Sequence, residues 1–140
     1  MAAITITAAS VAWVSGPVAA GQIAGEAFTA GMAVYKAANG TWLKAQGDGT
    51  AIEAGSEDLG VALFTADAAG AQGSIAISGA IVSYGAVLLA GLVYIINDTA
   101  GSIYPNADAG SADRVTVLGL AISTSQLLIQ RIYNAGAIKA

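Results

Sequence analysis

The side chains that could do chemistry in this 140-residue chain are nine carboxylates, and no histidine or cysteine accompanies them. Paired carboxylates hydrolyse glycosides when they face each other across a cleft. Glu57 and Asp58 are adjacent, however, and neighbours on a strand point to opposite faces. Asp98, Asp108 and Asp113 lie in sequence rich in Gly, Asn and Pro, where carboxylates serve turns. Missing histidine removes the commonest general base and metal ligand, and missing cysteine removes thiol catalysis, thiolate zinc sites and disulfides. Residues 106–110 (NADAG) resemble part of a calcium loop but lack its alternating acidic ligands and closing Glu. Residues 47–49 (GDG) have neither the Lys nor the glycine spacing of a phosphate cradle. Asn39-Gly40-Thr41 and Asn97-Asp98-Thr99 fit the glycosylation triplet; with no secretory signal recognisable before them, both read as turns. No catalytic residue, metal or cofactor is therefore expected, and the chain is not expected to be an enzyme.

The charge balance narrows the partners. Five Lys and Arg against nine acidic residues leave a net charge of −4, without the basic cluster that nucleic-acid binding draws on. Charged residues make up 10% and hydrophobic residues 56% of the chain, so polar side chains are too few to cover an isolated surface, which points to cover by other protein or by lipid. Gly79 to Ile96 is long enough to approach a membrane span. It lacks flanking Lys or Arg, and glycines at 79, 85 and 91 cut it into strand-length pieces. Neither a membrane span nor a signal peptide is expected.

The elements that would position these residues are short β-rich runs punctuated by glycine. They occupy residues 4–7, 11–14, 32–36, 41–45, 59–65, 74–77, 80–84, 92–96, 114–122 and 126–132, nearly all carrying Val, Ile, Thr or an aromatic. One domain of this length can bury its own core. The pattern predicts an all-β fold, a compact β-sandwich or barrel of many short strands. Asn39-Gly40 predicts a two-residue hairpin turn with positive φ. The Ala-rich stretch 65–71 is the one place for a helical turn or two, ended by Gly70.

Residues 25–36 (GEAFTAGMAVYK) align with 85–96 (GAVLLAGLVYII). Gly25 and Gly31 recur as Gly85 and Gly91, Tyr35 as Tyr94, and Leu59-Gly60 as Leu118-Gly119. This predicts two pseudo-repeated β units near 25–65 and 85–124 within a β domain of 25–140; chance alignment of Ala- and Gly-rich hairpins is the alternative. Residues 1–24 are left over as an N-terminal arm without a charged side chain. Its alternating residues, Ile4, Ile6, Val11 and Trp13, are the partner-binding candidates, because such a segment can add as a strand to a neighbouring chain. Packing into the chain's own core is the other reading for Trp13 and the preferred one for Trp42. Phe28, Tyr35, Phe64, Tyr84 and Tyr94 read as interior or cross-strand aromatics.

The segments 23–45, 57–77, 85–105 and 115–129 together resemble the head decoration, or capsid cement, proteins of tailed bacteriophages. Members are Ala- and Gly-rich β proteins that bind the outer surface of an assembled head, commonly as trimers, and strengthen contacts between shell subunits. The resemblance implies a virion protein on the outside of the capsid whose partners are the major capsid protein and further copies of itself as a homotrimer. It carries over no catalytic residue and does not include residues 11–22. A carbohydrate-binding β module of a tail fibre or surface adhesin, working through exposed aromatics and turn carboxylates, is the alternative.

Overall fold

β-branched and aromatic side chains favour a pleated backbone, and glycine-rich joints let it reverse every few residues. The computed structural model describes residues 4–46, 58–96, 99–105 and 114–138. They contain β1 (Ala12–Ser15), β2 (Val18–Ile23), β3 (Ala33–Lys36), β4 (Trp42–Lys44), β5 (Leu59–Ala62), β6 (Gln72–Ala76), β7 (Ile81–Ser83), β8 (Val93–Ile96), β9 (Ile103–Pro105), β10 (Arg114–Ala121) and β11 (Gln126–Ile138). One antiparallel sheet has the order β1-β7-β11-β10-β8-β9 and the other β2-β6-β5-β3-β4. The two pack together as an all-β sandwich. No helix among the described residues is long and apolar enough to cross a membrane.

Local expectations fail in four places. The stretch 65–71 forms a loop, because Ala66 exchanges backbone hydrogen bonds with Phe28 (3.0 and 2.8 Å) and the Gly70 N–H donates to Ala24 at 2.8 Å. Residues 4–7 form no strand; a 3-10 turn, Ala8–Ser10, follows them instead. Strands β2 and β9 lie outside the expected runs and form where β6 and β8 hydrogen-bond to them. The hairpin between β3 and β4 reverses at Asn39-Gly40, but only Gly40 has positive φ, at 87°. Its N–H donates to Ala37 O at 2.9 Å, and Ala37 pairs with Thr41 at 2.8 Å. The turn is thus type I closed by a left-handed glycine. Asn39 Oδ1 braces it by accepting from the Thr41 N–H (3.1 Å) and hydroxyl (2.8 Å).

The main core lies between the sheets. Ala33, Tyr35, Leu59, Val61 and Ala76 of the five-stranded sheet meet Val82, Tyr94, Leu118, Ala121, Leu127 and Ile129 of the six-stranded one. A second cluster, Val34, Ala62 and Ile75 with Phe28, Trp42 and Ala66, occupies the opposite face of the five-stranded sheet. Loops 24–32 and 63–71 supply its cover, and the Phe28 and Phe64 rings meet edge-to-face at 5.3 Å. Strands β3 and β5 are therefore buried on both faces.

Strands β2–β6 and β7–β11 take the same places in their sheets. The Gly31 N–H donates to Ala62 O and the Gly91 N–H to Ala121 O, both at 2.8 Å, while Ala62 N–H to Met32 O and Ala121 N–H to Leu92 O are both 3.0 Å. Gly60 pairs with Val34, and Gly119 with Tyr94. Tyr94 therefore corresponds to Val34 and not to Tyr35, as matching tyrosines in the sequence would have it. One residue of offset exchanges the faces of a strand. The units accordingly pack by different faces: Val34 and Ala62 point away from the other sheet, whereas their counterparts Tyr94 and Ala121 point toward it.

Candidate functional site

Residues 12–23, expected as an arm, form an edge strand of each sheet: β1 pairs with β7, and β2 pairs with β6. Gly16 makes the crossing. Its φ is +92°, and a Cβ there would lie 2.5 Å from Gly79 O and 2.6 Å from Ala80 Cα, so only glycine fits this close approach.

The four partner-binding candidates separate into three and one. Ile4, Ile6 and Val11 pack against the main core of their own chain. The Ile4 N–H donates to Ile103 O at 2.9 Å. Ile6 and Val11 place methyl groups 2.6 and 2.7 Å from the position a Cβ on Gly31 would take, and the Tyr84 ring lies at 3.1 Å. Tyr84, buried, donates its hydroxyl to Gly31 O at 2.8 Å. Desolvation by burial pushes that phenol well above its ordinary range. These side chains form one seam that closes the N-terminal segment over the core. Trp13 stands apart, 51% exposed, with its indole N–H on Gly16 O at 3.2 Å.

Strand β1 ends its sheet, so one backbone edge has no strand partner among the described residues, and all four of its residues are exposed. Such an edge is a template for another strand. The register shift between Trp13 and Ser15 bends it locally. The sequence reading missed Val14, Val18, Ile23, Leu89, Ile122 and Ile132, each more than a third exposed. They stand in or beside apolar runs that look the same as buried ones.

Several of the remaining polar groups are engaged within the chain. The Trp42 indole donates to Gln22 Oε1 at 2.9 Å, and the Tyr94 hydroxyl accepts from the Leu89 N–H at 2.9 Å. Glu26 accepts from the Lys44 N–H at 2.9 Å, with the ammonium 4.0 Å away. Phe28, Tyr35, Trp42, Tyr84 and Tyr94 are buried, which takes them from any sugar-binding platform. Asp58 is exposed, whereas Glu57, Asp98, Asp108 and Asp113, with residues 47–49, 97 and 106–110, lie outside the described residues. Among the described residues no three of His, Cys, Asp and Glu group as metal ligands. An open groove of about 400 Å³ runs along Ser78, Gly79, Leu128, Gln130, Arg131 and Ile132.

No family model matches the chain, and neither a curated protein nor a solved structure is significantly similar to it.

Proposed function

We propose that this chain is a structural decoration protein that binds the outside of an assembled phage head as a homo-oligomer, without catalysis or a cofactor. The observation carrying this reading is the uncharged edge strand β1, whose outer backbone edge has no strand partner among the described residues and whose Trp13 and Val14 are half-exposed, in a protein whose Phe28, Tyr35, Trp42, Tyr84 and Tyr94 are buried. That edge suits strand addition by a segment of the major capsid protein. The sequence resemblance supports the head as the place and the trimer as the oligomer. Modest affinity per copy suffices, because linked copies that engage several shell subunits raise avidity by about 10² to 10⁴. Cross-links of this kind oppose separation of shell subunits under the outward pressure of packed DNA. The net charge of −4 gives no grip on DNA and suits the exterior.

The test is binding of purified protein to undecorated heads, with electron cryo-microscopy of the product. Regular density on the outer shell, weakened for Trp13→Ala combined with Val14→Lys, is the expected result. Density on the tail, or no binding at saturating protein, overturns the proposal.

A further inference from the structure

The outer face of the six-stranded sheet carries an aliphatic row in register across four strands: Val93 pairs with Leu120, Leu120 with Leu128, and Leu128 with Ile81. All four are half-buried. Ile122, at 46% exposure, and Ile132, at 56%, extend it, and alternation puts them on the same face. Gln126 and Gln130 are the intervening residues of β11 on this side.

The correspondence between the units shows what such a face is for. Counted from Gly60 and Gly119, Val93, Leu120 and Leu128 occupy the places that Ala33, Val61 and Ala76 hold in the five-stranded sheet. Those three are fully buried against the other unit. The same face of the same β architecture is thus covered by a neighbouring β unit in one half of the chain, and in the other it is only half-buried, with no sheet packed on it among the described residues. The half-buried copy has the larger side chains. Charge fits a like partner as well: six acidic residues and two lysines up to Asp67 hold the whole net charge, and after Asp67 three acidic and three basic residues cancel. The residues named on this face are themselves uncharged, so pairing it with its own copy brings no like charges together.

We infer that this face is the contact between copies of the chain, the same face of a second copy covering Val93, Leu120, Leu128 and Ile81. This names the surface for the self-association proposed above and rests on that part of the reading, not on attachment to a head.

Sedimentation or light scattering of the full chain at tens of micromolar tests it without heads present. The expected mass is a multiple of 13.7 kDa, falling to that single value in Ile122→Lys combined with Ile132→Lys. Far-ultraviolet circular dichroism should stay unchanged, because both side chains already face outward. Ile23→Lys, at a position 42% exposed on the five-stranded sheet, keeps the oligomer mass. Since the chain has no cysteine, a thiol introduced by Ile122→Cys provides a second readout: it is labelled at least tenfold more slowly in the oligomer than in the same chain made monomeric by Ile132→Lys with Leu128→Lys. A monomeric unsubstituted chain, an unchanged mass in the double variant, or equal dissociation by Ile23→Lys overturns the inference. Failure to bind heads with the oligomer intact overturns the proposed function alone.

Discussion

Replacing Tyr84 with Phe removes one oxygen and tests the seam that holds the N-terminal segment on the core. The hydroxyl donates to Gly31 O at 2.8 Å inside the protein, and phenylalanine leaves that carbonyl without this donor. A lost hydrogen bond of this kind costs about 1–2 kcal/mol. At roughly 2.1 cal/mol/K per residue, a chain of 140 residues melts about 5 °C lower for a loss of about 1.5 kcal/mol. The effect carries a pH signature that simple loss of packing lacks. Above about pH 10 the unfolded chain ionises Tyr84, whereas burial pushes the phenol up in the folded state. The folded protein then retains a proton that the unfolded chain has released, so the unsubstituted protein loses about 1.4 kcal/mol of stability per pH unit above pH 10. Tyr84→Phe escapes that loss. Its deficit at pH 7 should shrink above pH 10 and close near about pH 11, the other tyrosines cancelling between the two proteins. Urea unfolding at fixed protein concentration from pH 7 to 11 measures this. Equal stability at pH 7, or a difference constant up to pH 11, would refute the reasoning.

Gly119→Ala should cost about 2 kcal/mol or more, because its Cβ would strike the Leu128 carbonyl oxygen, whereas Gly91→Ala, with φ +85° and open space, should cost only about 1–2 kcal/mol; paired denaturant titrations rank them. Gly40→Val, at φ +87° with nothing nearby, should destabilise by about 1–2 kcal/mol, read as a lower melting temperature. Ile6→Ala should lower stability by about 1–3 kcal/mol through lost packing beside Gly31, while Trp13→Ala should stay within about 1 kcal/mol, since that ring is half-exposed; thermal melts of the two separate the segment's structural role from any binding role.

Much of the architecture was legible in the chain. Runs of Val, Ile and aromatics locate nine of the eleven strands among the described residues, and Gly40 marks its hairpin because an L side chain resists positive φ wherever it sits in the fold. The recurrence of Gly31 at Gly91 and of Leu59-Gly60 at Leu118-Gly119 could be read by eye, since Gly31 and Gly91 hold positive φ in turns and Gly60 and Gly119 sit at close crossings that admit no Cβ. The lack of histidine and cysteine was equally plain, because a residue type absent from the chain cannot be supplied by folding.

The sides of the strands were not legible. A half-buried strand announces its inner face by alternating with polar residues, but Val34 and Tyr35, like Val61 and Ala62, are both buried and both apolar. With no polar side to read, identical-looking runs became a shared core in one place and a partly exposed surface at Leu120, Leu128 and Ile122 in another. The N-terminal segment shows the same limit. Ile4, Ile6 and Val11 are as apolar as a partner-binding strand requires, and only the cleft beside Gly31 and Tyr84 made them part of the chain's own core. Residue type and spacing set the local backbone through short-range sterics; the assignment of faces and edges depended on which distant strand supplied the hydrogen bonds, and that is a property of the assembled sheets.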